Sequence, residues 1–384
     1  MNPEKLENSP KLKFINRLIG VSLISQLLIS WPLWENAIRE LPMAPVIDGL
    51  DFGVFNPVLI FSLLGALVIL ILKPMSTGVI ITTLSLFFLL VLEDQSRLQP
   101  WLYLYSIMLL CTVFFRGKNA AHLSFQTIFL ILAVTYFWSG VQKTNYFFGT
   151  EMFPWLADFT GQEDFLRAHP QFGYAVGITE ALAGLALLFK PSRKAGAVVV
   201  LVMHLFILGA LGPFGHDWNH VVWPWNICFG WILILLVWRI DKDANRLSPF
   251  TRARYSLFCF VLVGILPVLG IFDRWDHFLS GGYYSCAVPD SIFYYHENDR
   301  SQMPESTAAF QFHNMGTQEE FVLLDQWGLD QLGAPLYPEI RVKKQVAKQM
   351  CDCVTMPESA GVRINSKNRF TGKSETLEVS CDEL

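Results

Sequence analysis

Nine runs of apolar residues, each near the length a helix needs to cross a bilayer, constrain this chain more than any other feature. They fall near residues 14–34, 55–72, 78–93, 99–115, 122–142, 172–190, 194–212, 221–238 and 256–273. The 384-residue chain is 52% hydrophobic and only 16% charged, against about 25% charged in soluble domains. Its 29 Lys+Arg against 33 Asp+Glu leave no cationic excess to suggest a nucleic-acid partner. The expectation is an all-α polytopic membrane bundle of nine transmembrane helices in contact with membrane lipid, followed by a small C-terminal α+β domain.

Loop charges give that bundle a direction, because Lys and Arg prefer short cytoplasmic loops. With the N-terminus inside, the inner segments hold 15 basic residues: Lys5, Lys11, Lys13, Arg17, Lys73, Arg116, Lys118, Lys190, Arg193, Lys194, Arg239, Lys242, Arg246, Arg252 and Arg254. The outer loops hold 4, namely Arg39, Arg97, Lys143 and Arg167. The expected protein is integral to the plasma (inner) membrane, with a cytoplasmic N-terminus and, after an odd number of crossings, an extracytoplasmic C-terminal domain. The run after Arg17 ends in Trp31 and Trp34 and is longer than a signal-peptide core, so it reads as a retained first helix. The terminal Cys-Asp-Glu-Leu lacks the first residue of an endoplasmic retention tail and is not read as one.

The membrane part spans 1–275 and the polar tail 276–384, with Gly281 and Gly282 as a hinge. Within the tail, β-like runs at 291–296, 308–313, 321–324, 362–365 and 376–380 alternate with one helical stretch at 338–350. Cys111, Cys228 and Cys259 fall inside apolar runs, whereas Cys286, Cys351, Cys353 and Cys381 fall in the tail. An even number of outside cysteines points to structural disulfides in an oxidising compartment, with the pairing open.

Ionisable groups within apolar runs are costly and mark either helix clasps or function. Glu180 and His204 lie on neighbouring helices joined by a short basic turn, each ten residues from it, so they sit at matched depth. A carboxylate–imidazole contact is available to them, as clasp or as proton chemistry. Lys143 closes the fifth run, one turn after Gly140 and next to Trp138; a sheltered lysine of this kind either snorkels to headgroups or serves as a base. His216 and His220 have the i, i+4 spacing of a metal pair, but no third ligand is spaced beside them, so no metal is expected. Trp223 and Asn226 open the eighth run on the same side and are candidate wall residues with Trp138 and Gly140.

These residues carry a resemblance. The Phe137-x-x-Gly140-Val-x-Lys143 helix end, the aromatic loop through Trp155, the Gly184-Leu-Ala-Leu-Leu segment and the Met203-His204…Leu208-Gly209 helix resemble the core of vitamin K-dependent γ-carboxylase and its bacterial relatives with an HTTM domain. The segment Gly177-Ile-Thr-Glu180-Ala-Leu-Ala-Gly-Leu-Ala also looks like the DoxX/MauE group, membrane proteins associated with thiol and quinone redox chemistry. The resemblance covers about 127–230 and implies that Lys143 is the base that deprotonates a reduced quinone on the non-cytoplasmic side. It does not extend to a further family histidine, since His122 falls on the inner side, nor to the family's longer substrate-binding tail.

The expected function is therefore a quinone-linked or lipid-substrate enzyme with an outward-facing pocket, a quinol-linked oxidoreductase or carboxylase-like. Its small molecule is apolar or quinone-like, with Lys143 as base and Glu180 and His204 relaying protons. The rival is a non-catalytic membrane scaffold whose outside domain binds a protein partner. A transporter ranks last for want of an internal duplication.

Overall fold

The computed structural model describes residues 9–240 and 251–384. Lys5, Lys242 and Arg246, counted above among the inner charges, lie outside them. Among the described residues seven helices are long and apolar enough to cross a membrane: Pro10–Ile29, Gly53–Leu72, Ala120–Lys143, Gln171–Leu188, Arg193–Ala210, Val222–Arg239 and Arg254–Phe272. The expected third and fourth spans are shorter apolar helices, Thr77–Glu93 and Pro100–Phe114. At about 1.5 Å per residue they reach roughly 25 and 22 Å, less than the ~30 Å of a hydrocarbon core. Among the described residues, seven of the nine expected runs thus form helices long enough to span.

The chain forms two compact units. The described residues of the first are 9–27, 61–87, 99–240 and 251–286, and the Ala120–Lys143 helix is its enclosed centre, with Ile128, Phe129, Ile131 and Leu132 fully buried. The Gln171–Leu188 helix lies directly on it because both lack side chains where they cross. A Cβ on Gly140 would overlap the backbone of Gly177 and Ala181, and one on Gly184 the backbone of Ala133 and Phe137. Small residues at such crossings let backbones approach closely, which is how apolar helices gain packing energy in lipid. On the outside of this unit Phe61, Leu182 and Leu205 stand exposed, apolar surface that lipid rather than water would cover. The last span changes winding along its length, from α-helix at Arg254–Cys259 through a π-helical turn at Phe260–Ile265 to a 3-10 stretch at Leu266–Phe272 that contains Pro267. A proline has no N–H and crowds the preceding turn, so a regular α-helix does not continue through it. Gly281, read from sequence as part of a hinge, has φ +81 and lies against the backbone of Trp138 and Ser139, so it permits a close approach.

The second unit comprises residues 28–60, 88–98 and 287–384. Its five-stranded antiparallel sheet has the order β2-β3-β1-β4-β5, with β1 Asp290–His296, β2 Gln311–His313, β3 Glu319–Leu323, β4 Gly361–Lys367 and β5 Ser374–Ser380. Alternation along β1 and β4 buries Phe293, Tyr295, Val362 and Ile364 beneath the helix Ile340–Met350, whose Val342, Val346 and Met350 recur at helical spacing. A further helix, Leu324–Leu332, follows β3 directly and was not anticipated. A disulfide joins Cys351 to Cys381, while the other two tail candidates, Cys286 and Cys353, keep their thiols. Burial and then the neighbouring Asp352 charge push the Cys353 thiol up.

Two of the four basic residues assigned to outer loops are buried ion pairs of this unit. Arg97 is fully enclosed, bonded to Glu93 at 2.6 Å, to the carbonyls of Leu33, Leu90 and Trp34 at 2.9 Å each, and to Asn36 at 2.6 Å. Arg39 pairs with Asp94. Burial alone would raise the Asp94 carboxyl, but the Arg39 and Arg97 charges outweigh it and hold the group below its usual range.

Candidate functional site

The close crossing of Ala120–Lys143 with Gln171–Leu188 sets the first contact. It brings the amine of Lys143, last residue of its helix, against the carboxylate of Glu180, with Nζ to Oε2 at 2.8 Å and side chains only 10% and 11% exposed. The amine also donates to Ser139 Oγ at 2.6 Å, one turn back on the same helix. Desolvation is costly for each charge alone and is tolerable for the two together.

Lys143 and Glu180 line a cavity of about 100 Å³ that lies within a wider cleft, partly open to the outside, of about 830 Å³. The whole wall belongs to the first unit. It is mainly apolar and aromatic, with Phe148, Phe153, Val176, Met203, Phe206 and Trp225 among its residues. A second polar group faces the same cavity. His204 Nε2 lies 2.8 Å from the Tyr136 hydroxyl and Nδ1 lies 2.6 Å from Asn226 Oδ1. Asn226 Nδ2 in turn donates to the Val222 carbonyl at 2.8 Å. Two buried polar atoms of lining residues, Thr135 Oγ1 and Trp225 Nε1, have no hydrogen-bond partner among the described residues.

One residue connects the helix end to the far wall. Asn145 Nδ2 donates to Gln142 O at 2.7 Å and to Ser285 O at 2.9 Å, and its Oδ1 accepts from Phe148 N at 3.0 Å. Tyr283 and Tyr284, which line the cavity, precede the tethered Ser285, and the Tyr284 hydroxyl accepts from Asn219 at 2.6 Å.

Of the residues singled out in the sequence, Lys143, Glu180, His204 and Asn226 meet at this cavity. Their pairing differs from the one anticipated: Glu180 bonds Lys143 rather than His204, and His204 takes Tyr136 and Asn226. Matched depth brought the two side chains to one hollow without making them partners. Trp138, Gly140 and Trp223 serve packing instead of the cavity wall. Trp138 Nε1 donates to Gly264 O at 2.9 Å, Trp223 Nε1 donates to Leu211 O at 3.2 Å, and Gly140 faces the neighbouring backbone. His216 and His220 do not converge on one point, since His216 Nε2 meets the Trp155 carbonyl at 2.6 Å and stacks on its ring, while His220 pairs with Asp217. Cys286 donates to Glu151 Oε2 at 3.5 Å.

Sequence reasoning passed over Tyr136 and Ser139. Their signal was the i, i+3, i+7 stripe that they form with Lys143, three polar groups on one face of a buried helix. The stripe Val200, Met203, His204, Ile207 marks the opposing wall in the same manner.

Residues 121–218 match the family described as Methylamine utilisation protein MauE. The matched stretch is about a quarter of the chain and holds Tyr136, Ser139, Lys143, Glu180 and His204, while Trp225, Asn226 and Tyr284 lie beyond it. No curated protein and no solved structure matches the chain. The chain is thus similar to MauE over the stretch that supplies most of its cavity's polar groups, and with its apolar helices it is an integral membrane protein.

Proposed function

We propose that this protein binds an apolar ring compound with an ionisable oxygen, of the quinone or quinol kind, and deprotonates it with the Lys143–Glu180 pair. The observation that carries the reading is an ion pair about nine-tenths buried in the wall of an aromatic cavity. An ammonium that already donates to Ser139 and Glu180 has no lone pair to offer, so the pair acts as a unit. The hydroxyl proton of the ligand ends on the Glu180 carboxylate, directly or by way of Lys143 after it has passed a proton across the 2.8 Å contact. The ammonium then faces the ligand oxyanion, and the low dielectric strengthens that attraction.

A quinol-linked enzyme is also what the resemblance of its sequence to the carboxylase-like HTTM and DoxX-like proteins implies. The charge bias of the loops supports a cytoplasmic N-terminus in the plasma membrane, and the Cys351–Cys381 bridge supports an extracytoplasmic second unit. Organic extraction of protein purified from its native membrane, followed by chromatography of the extract, tests the reading. A quinone-class lipid should accompany the wild type and be lost from Lys143→Ala and Glu180→Gln. Its absence from folded wild-type protein overturns the reading. The scaffold alternative is favoured by Met315 and Phe370, which stand 93% and 72% exposed on the second unit, apolar contacts a protein partner would cover.

A further inference from the structure

The hydrogen-bond chain through Asn226 fixes which way His204 and Tyr136 point their protons. Asn226 Nδ2 donates to the Val222 carbonyl at 2.8 Å, and turning the amide over would set oxygen against oxygen there. Its Oδ1 therefore faces His204 Nδ1 at 2.6 Å, and a carbonyl oxygen only accepts, so Nδ1 carries a hydrogen. In the neutral imidazole Nε2 is then an acceptor, and the partner it has is the Tyr136 hydroxyl at 2.8 Å. The hydroxyl proton is committed to His204, and what Tyr136 has left for the cavity it lines is an oxygen lone pair.

We propose that Tyr136 is a specificity-determining residue that accepts a hydrogen bond from a phenol-type hydroxyl on the ligand, other than the one whose proton ends on Glu180, and that Asn226 is the positioning residue that keeps it an acceptor. The orphaned Trp225 Nε1, a donor among the lining residues, gives the same ligand a place for an acceptor oxygen. This inference rests on the proposed function and narrows its ligand to the hydroxyl-bearing form of an apolar ring.

Binding of 4-octylphenol and of its methyl ether, 4-octylanisole, to the full-length protein in nanodiscs tests it by calorimetry, with affinities referred to concentration in the lipid. The wild type should bind the phenol at least ten-fold more tightly than the ether. Tyr136→Phe should bring the two within three-fold of each other. Asn226→Asp should do the same, because a carboxylate at that place holds His204 as an imidazolium whose Nε2–H occupies the Tyr136 oxygen. If Asn226 served packing alone, its substitution would weaken both compounds equally and leave their ratio unchanged, which overturns the inference. Loss of the preference in Glu180→Gln but not in Tyr136→Phe also overturns it, since the carboxylate would then be the reader. Equal binding of both compounds by the wild type overturns the inference and leaves the proposed function standing. Binding of neither overturns both.

Discussion

Lys143 Nζ and Glu180 Oε2 lie 2.8 Å apart across 37 residues of sequence, in a pocket wall where neither charge could be kept alone. Removing one partner strands the other, whereas removing both leaves an apolar contact, and the two cases differ in energy by a predictable sign. Lys143→Met and Glu180→Leu should each destabilise the protein by about 3–5 kcal/mol, and the double substitution by less than either. Unfolding in mixed micelles with rising dodecyl sulfate, measured for all four species, gives the coupling energy. Additive losses would mean that the pair is not closed in solution.

The glycine crossing sets the distance of that pair. A methyl group at Gly140 would meet the backbone of Gly177 and Ala181, where no side chain can turn aside. Gly140→Ala should cost about 1–3 kcal/mol as overpacking and should move Lys143 from Glu180. Gly65→Ala, inside a helix and with nothing within 4 Å, is the control and should not lower the melting temperature.

Much of this arrangement was legible in the sequence. Apolar runs located the helices, and alternation located all five strands of the second unit, because both periodicities are local. Depth along a hairpin placed Glu180 and His204 at one cavity. What depth could not supply was rotation about each helix axis, and rotation decided that Glu180 faces Lys143 while His204 faces Tyr136 and Asn226. The buried Arg39–Asp94 and Arg97–Glu93 pairs escaped notice for a related reason. A charge in a short loop reads as solvated, and only the fold of the second unit shows that its own loops enclose it.

The second unit should have an acid limb set by Arg363. This guanidinium bonds Glu319 on β3 and Glu378 on β5, and those bonds hold both carboxyls below their ordinary 4.5. Between the folded and unfolded values the unfolded chain binds more protons. The stabilisation is therefore present above about pH 4.5 and is lost as pH falls through the lower folded values. Hydrogen exchange of β3, β4 and β5 between pH 7 and 3 should show protection falling in that window for the wild type. Arg363→Met should flatten the fall, and identical profiles would contradict the assignment.

The Cys351–Cys381 bridge closes a loop of sequence separation 30. Chain-entropy arguments give such a closure about 3–4 kcal/mol. Replacing both cysteines by alanine should raise exchange in Gly361–Lys367 and Ser374–Ser380, the paired strands inside the loop, and leave the helix Ala120–Lys143 unaffected. Unchanged exchange in both strands would show that the sheet holds without the bridge.

Asn145 ends the helix that carries Lys143 and also anchors Ser285, directly after the two tyrosines of the opposite wall. The two tyrosines and the amine thus share a single anchor. A ligand that displaced Tyr283 and Tyr284 would pull, through that side chain, on the turn that carries Lys143.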